Sequence, residues 1–149
     1  RWTPGVLGRT AVGSRTLTGI MSLFATDAAG VIYEHESGRD ADGAPLDWYI
    51  ESGYFDIDSG NNGLNIDGYI PDFKRQAGAI DLTFTSRDYP EDASALDTAS
   101  KTIAEGQSVV DFRHFGRQAK FRLSQTGIAG GDFRLGAQRL EVGTTGKRR

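Results

Sequence analysis

At 149 residues the chain has the size of one domain, or of one domain with part of a second, and it can bury a core without staples. Its 20 glycines and 38% hydrophobic residues suit many short strands and tight turns rather than a helical bundle. The absence of cysteine excludes a disulfide scaffold and a thiolate metal site, no apolar run approaches the roughly 18 residues of a membrane-spanning helix, and no signal-peptide pattern opens the chain.

The net charge of −3 is unevenly placed. Residues 1–74 hold 5 Lys/Arg and 11 Asp/Glu (−6), and residues 75–149 hold 12 and 9 (+3). Either two faces are differently solvated, or the acidic part of one copy meets the basic part of another in an assembly. The first residue is Arg1 rather than Met, so the chain is expected to be a fragment, a processed product or part of a longer protein.

Residues 1–19 carry glycines at 5, 8, 13 and 19 and Pro4, a spacing that leaves only short extended pieces, with Trp2 and Leu7 as anchors. Met21, Leu23 and Ala25 then alternate with Ser22, Phe24 and Thr26. Asp27–Gly30 reads as a turn, and residues 31–36 run extended again, so a β-hairpin is predicted. After a polar loop over 38–45, Leu46, Trp48 and Ile50 mark a strand, continued past Gly53 by Phe55 and Ile57. A turn cluster over 58–63 leads to an extended run from Leu64 to Ile70.

The stretch 69–90 opens with a polar lead-in holding Pro71, Asp72, Lys74 and Arg75. After Gly78, Ile80, Leu82 and Phe84 take one face of a strand that Pro90 closes off. Residues 90–106 are small, polar and acidic, which predicts a surface loop or a single helical turn near 93–98. Val110 and Phe112 begin the next strand; Ala119, Phe121 and Leu123 form another, alternating with Lys120, Arg122 and Ser124. Phe133, Leu135 and Ala137 form the last. The apolar phase then slips to Leu140 and Val142, which predicts a β-bulge near Gln138–Arg139. The expected architecture is all-β: a β-sandwich or jelly-roll-like domain over 45–143, preceded by N-terminal strands over 1–44 and followed by a flexible basic tail over 144–149.

Four patterns invite chemistry. Glu34 and Glu36 share a strand face beside His35, but the chain's other histidine, His114, does not stand at ligand-pair spacing, and a solvated strand face explains them. The run from Asp56 to Gly63 departs from a calcium loop: with Asp56 first, Gly60 stands fifth, Asn61 sixth and Asp67 twelfth. The segment TGIAGGD over 126–132 lacks the following helix of a phosphate cradle. The C-terminal third is basic (Arg113, Arg117, Lys120, Arg122, Arg134, Arg139) with Phe112, Phe115, Phe121 and Phe133 interleaved. That suits a nucleic-acid surface less well than strands with aromatics inward and basic residues outward. No metal site, cofactor site or nucleophilic triad is legible, so no enzymatic activity is expected.

Three segments in order carry a resemblance: Trp48 to Ile57, Ile70 to Pro90, and Phe115 to Ser124 followed by Phe133 to Gly136. The closing Arg139-Leu140-Glu141-Val142 and Gly146-Lys147-Arg148-Arg149 fit the same pattern. Together they resemble the C-terminal region of hub or nozzle-type tail structural proteins of short-tailed bacteriophages. The segment Tyr33-Glu34-His35-Glu36 is similar to the final repeat of the β-propeller such proteins carry. Residues 61–69 depart from the pattern, being NNGLNIDGY where family members often carry a more basic stretch.

The resemblance implies a non-enzymatic virion structural protein located in the tail, without cofactors. It would act in a homo-oligomeric ring, with a hexamer as the working size, beside other tail proteins and in transient contact with DNA passing through during ejection. A channel for DNA favours an acidic or neutral lining, because cationic contacts to phosphate hold DNA in place. Glu34, Glu36, Asp56 and Asp58 are therefore the expected lumen-facing residues, and Arg113, Arg117, Lys120 and Arg122 the expected inter-subunit basic residues. The alternative is a carbohydrate-binding β-sandwich, an adhesin or receptor-binding module, using Trp48, Tyr49 and Tyr54 as stacking platforms. Open aromatic platforms favour that alternative; covered aromatics and a broad interface between copies favour the ring.

Overall fold

In the computed structural model the described residues are 8–17, 20–35, 37–41 and 43–147. The expected anchors Trp2 and Leu7, and Glu36, lie outside them. The chain divides into two compact units, Arg1–Arg39 and Asp40–Arg149.

The first unit is a three-stranded antiparallel sheet of β1 (Ala11–Leu17), β2 (Ile20–Thr26) and β3 (Ile32–His35), in the order β1-β2-β3. The predicted hairpin is β2–β3, in register from Thr26 opposite Ile32 to Leu23 opposite His35. Its turn works as the Asp27–Gly30 spacing suggested. Asp27 Oδ1 accepts the backbone N–H of Val31 (3.0 Å) and of Ala29 (2.9 Å), and Gly30 takes the left-handed φ of 83°. The Val31 N–H above all, helped by Ala29 and the Tyr33 hydroxyl, holds the Asp27 carboxyl below its ordinary value.

The second unit is all-β and antiparallel, and it is consistent with a β-sandwich. One sheet has the order β4-β10-β7-β8, formed by β4 (Trp48–Glu51), β7 (Ile80–Arg87), β8 (Asp97–Ile103) and β10 (Gln118–Gln125). Another has the order β12-β5-β9, formed by β5 (Asn62–Ile70), β9 (Val110–Gly116) and β12 (Arg139–Lys147). A two-stranded ladder pairs β6 (Phe73–Ala77) with β11 (Asp132–Leu135). The core draws on both larger sheets: Leu64, Ile66 and Tyr69 from β5 and Val110 and Phe112 from β9 meet Ile80, Leu82, Phe84, Ile103, Ala119 and Leu123. Phe84 is fully buried and packs edge-on to Phe112, ring centroids 4.9 Å apart at 82°. The period-2 pattern of β7 is realised as read: Ile80, Leu82 and Phe84 are buried and Asp81 is exposed.

Several expectations are corrected. The polar lead-in before Gly78 is itself a strand, β6, whose partner β11 supplies the ladder that its charged sequence does not advertise. The segment 90–106, expected as a loop or helical turn, contains the seven-residue edge strand β8. Only Ile103 of β8 is fully buried, so the strand rests on backbone pairing to β7 and on hydroxyl contacts, Thr83 Oγ1 to Ser100 Oγ at 2.8 Å and Thr102 Oγ1 to Asp81 Oδ1 at 2.7 Å. There is no bulge at Gln138–Arg139: β11 ends at Leu135, the chain changes ladders, and β12 begins at Arg139. Register shifts fall instead between Glu141 and Val142 and between Thr145 and Lys147. The residues expected as a flexible tail continue β12 as far as Lys147, with Thr144 opposite Leu64 and Thr145 opposite Gly63.

On β9 the inward positions are Val110, Phe112, His114 and Gly116, so His114 is buried and Phe115, expected inside, points outward at 36% exposure. Phe112 fixes the parity of the strand, and residues an odd number away take the other face. Gly116 is required by its surroundings: a Cβ there would overlap the Ser86 side chain, whose Oγ donates to Phe115 O at 2.8 Å.

Candidate functional site

The outward face of β10 gathers charged and aromatic side chains. Lys120 and Arg122 stand two residues apart on one strand and so share a face. Each is engaged within the chain. Lys120 Nζ lies 3.0 Å from Glu51 Oε1 and 5.4 Å from the Tyr54 ring centroid. The Arg122 guanidinium sits 3.9 Å above the Tyr49 ring. Beside them Arg87, at the end of β7, stacks on Tyr54 at 3.8 Å, while its Nε donates to Gln118 Oε1 and its Nη1 to Pro90 O. Arg117, in the β9–β10 turn, donates from Nε to Gly60 O at 2.5 Å.

The four expected basic residues therefore do not form one patch. Lys120 and Arg122 lie on the outer face of the β4-β10-β7-β8 sheet and Arg117 at its corner. Arg113 projects, exposed, from β9 in the other sheet. The expected acidic residues are divided more sharply. Glu34 is exposed on β3 of the first unit, opposite Phe24, whereas Asp56 and Asp58 flank the turn before β5 in the second. Asp56 Oδ2 accepts Gln118 Nε2 at 3.1 Å and Asp58 Oδ2 accepts Asn62 Nδ2 at 2.8 Å. Asp58 itself, the first residue of the short 3-10 turn Asp58–Gly60, adopts a left-handed φ of 54°, a conformation that Asp tolerates better than most side chains. Asp58 thus works inside the turn, and Asp56 ties the turn to β10. Among the described residues no group of three His, Asp or Glu side chains converges to hold a metal.

The contacts bear on the charge asymmetry between the two halves of the sequence. Lys120 to Glu51, Gln118 to Asp56 and Arg117 to Gly60 all join the basic second half to the acidic first half within one chain. Of these only Lys120 to Glu51 is a charge pair, and it joins β10 to β4.

The three aromatic residues proposed as sugar platforms each have a ring face occupied within the chain. Trp48 stacks on Phe133 at 3.8 Å with the rings 23° apart, and its Nε1 donates to Gln125 Oε1 at 3.1 Å. Tyr49 and Tyr54 carry the guanidinium groups of Arg122 and Arg87 on a ring face. Tyr49 keeps 58% exposure, so its other side meets solvent.

Two polar residues that sequence reasoning passed over are central to this unit. Gln125 is buried at the end of β10, where its Nε2 donates to Ala77 O (2.9 Å) and Ala79 O (3.1 Å) while its Oε1 receives Trp48 Nε1. Its inward parity with Leu123 was the available signal. His114 is the other: its side chain is wholly enclosed, with Nδ1 3.2 Å from Asp97 Oδ2. The two histidines of the chain belong to different units, since His35 lies on β3, where Nε2 receives Arg9 Nε at 3.4 Å.

One open groove, of about 440 Å³, runs between β6 and the β8–β9 turn, lined by polar side chains including Lys74, Arg75, Gln76, Glu105 and Gln107. Its polar groups are largely occupied: Arg75 pairs with Asp132, Glu105 receives the Gly78 N–H, and Gln107 closes its own turn. No helix among the described residues is long and apolar enough to cross a membrane. No family model matches the chain, and no curated protein matches it.

Proposed function

We propose that this chain is a structural part of a phage tail hub or nozzle, a ring of identical subunits through which DNA is ejected. The observation that carries the reading is the spatial arrangement of the segments that bear the resemblance. Trp48–Glu51 pairs with Arg122–Gln125, Gln118–Ser124 pairs with Asp81–Arg87, and Phe73–Ala77 pairs with Asp132–Leu135. Segments scattered over some ninety residues are thus neighbours in the sheets, and the side chains they hold in common are packing and pairing residues. Residues shared for packing and pairing rather than for chemistry suit a structural role. The division of the chain at Arg39 and Asp40 suits the expectation that the N-terminal strands belong with a neighbouring module.

The carbohydrate-binding alternative is weaker because Trp48 stacks on Phe133 and Tyr54 carries Arg87, which leaves Tyr49, with one face under Arg122 and the other in solvent, as the exposed ring of the three. Sugar stacking needs an open ring face.

The deciding experiment is the mass of the native assembly, by light scattering on the purified chain and by imaging virions that contain it. A closed ring of many copies supports the proposal. A stable monomer that binds a glycan array refutes it. Within the ring reading, neutralising Glu34, Glu36, Asp56 and Asp58 slows or traps DNA passage; unchanged ejection kinetics in such a phage would remove the lumen assignment.

A further inference from the structure

The groove beside β6 keeps one charge in reserve. It lies between β6 and the β8–β9 turn and encloses about 440 Å³, within the usual range of a binding cleft. One end is tied off, because Gln76 Nε2 donates to Ile103 O at 3.1 Å and the Gly78 N–H donates to Glu105 Oε1. Arg75 is engaged by Asp132. Lys74 is exposed in the lining and has no side-chain partner among the described residues. β6 itself pairs with β11 alone, so its second edge has main-chain donors and acceptors to offer an added segment.

The 88–96 loop has the complementary character. It holds Asp88, Glu91 and Asp92 and no Lys or Arg. Asp92 Oδ2 receives the Tyr89 N–H at 2.8 Å, and the Leu96 N–H donates to Ser86 O at 2.8 Å, so the loop is fixed on the end of β7. Glu91 is exposed and has no partner among the described residues. The small residues Ala93, Ser94 and Ala95 are exposed as well and leave little bulk to bar entry into a narrow groove.

Loop and groove stand at opposite ends of the same two strands. The loop joins the end of β7 to the start of β8, whereas the groove lies beside Gly78 and the turn that follows Ile103. The seven residues of β8 extend roughly 20 Å, so a loop anchored at Ser86 does not reach the groove of its own chain. Glu91 and Lys74 meet only between copies.

We propose that the groove receives the 88–96 loop of a second copy, with Glu91 of one copy set against Lys74 of the next. The two patches differ, so the contact is heterologous: repeated from copy to copy, it closes a ring or extends a filament. The inference deepens the ring proposal and rests on it, since it names a contact by which identical subunits join head to tail.

The test uses the full chain, with assembly mass read by sedimentation velocity over a range of concentrations at low and high salt. Wild type is expected to assemble, less well at high salt. Lys74→Glu and Glu91→Lys should each weaken self-association by about tenfold or more, and the double variant with the charges exchanged should regain it. Both positions are exposed, and circular dichroism checks that each variant keeps its strand content. Carbodiimide cross-linking of mixed isotopically light and heavy chains should join Lys74 of one chain to Glu91 of another. Single variants that assemble as well as wild type overturn the contact and leave the ring proposal standing. A double variant no better than impaired single variants overturns the Lys74–Glu91 pairing. A monomeric wild type overturns both the contact and the ring.

Discussion

Replacing Gln125 by glutamate isolates what one buried amide does for this fold. The amide oxygen receives Trp48 Nε1, and the amide nitrogen faces the carbonyl oxygens of Ala77 and Ala79 at 2.9 and 3.1 Å. Gln125→Glu keeps the shape and keeps an acceptor for the indole, but it sets a carboxylate oxygen against two carbonyl oxygens. Each carbonyl left without its buried donor costs about 1–3 kcal/mol, so the two together imply roughly 2–6 kcal/mol before any repulsion. Against a domain stability of about 5–15 kcal/mol, that is a large fraction.

The same substitution makes a pH prediction with a definite sign. Burial against two carbonyl oxygens, with the indole N–H as its donor, raises the glutamate's folded value above its unfolded value of about 4.3, so the folded state binds the extra proton first. Stability of the variant relative to wild type therefore rises as pH falls through the raised folded value, and the gain levels off near pH 4.3. Gln125→Leu loses all three hydrogen bonds but has nothing to titrate, so its deficit stays constant. Urea unfolding midpoints of wild type, Gln125→Glu and Gln125→Leu at pH 7 and pH 5 read all three quantities. A glutamate variant within about 1 kcal/mol of wild type at pH 7, or a glutamate deficit as constant as leucine's, would refute the role given to this amide.

Phe84→Ala removes the ring that packs on Phe112 in the fully buried centre and is expected to cost about 3–5 kcal/mol by urea denaturation; a cost under about 1 kcal/mol would place Phe84 outside the core. Gly116→Ala drives a methyl group into Ser86 and should lower the thermal midpoint, with partial recovery in the double variant carrying Ser86→Gly; no recovery would mean that the strain comes from elsewhere. Lys120→Ala breaks a half-exposed pair with Glu51 and should shift stability by no more than about 1 kcal/mol, as read from thermal unfolding; a larger loss would show that the Tyr54 contact carries more than a surface interaction.

The sequence was most legible where one face of a strand is buried and the other wet. Ile80, Leu82 and Phe84, and the hairpin around Asp27, announce their structure locally, because side-chain alternation and an Asx turn need no distant information. It was least legible at β6, β8 and the end of β12. Those strands bury little, and their backbone groups are satisfied by partners tens of residues away: β6 by β11, β8 by β7 and β12 by β5. Their small, polar composition is indistinguishable from a loop until the partner is known.

The candidate residues divide in the same way. Their chemical types, their spacing and the resemblance they carry belong to the sequence. Which of them meet is decided by the tertiary structure: β10 brings Lys120 onto Glu51 and Arg122 onto Tyr49, while Arg113, only four residues before Arg117, goes to the other sheet. The sequence alone determined an all-β chain without thiol chemistry, with its apolar residues phased for strands. Only the tertiary structure decided that His114 rather than Phe115 is enclosed, and that Gln125 joins three segments. Strand parity is set by the neighbour that packs, and a buried polar group is explained only by the partners that satisfy it.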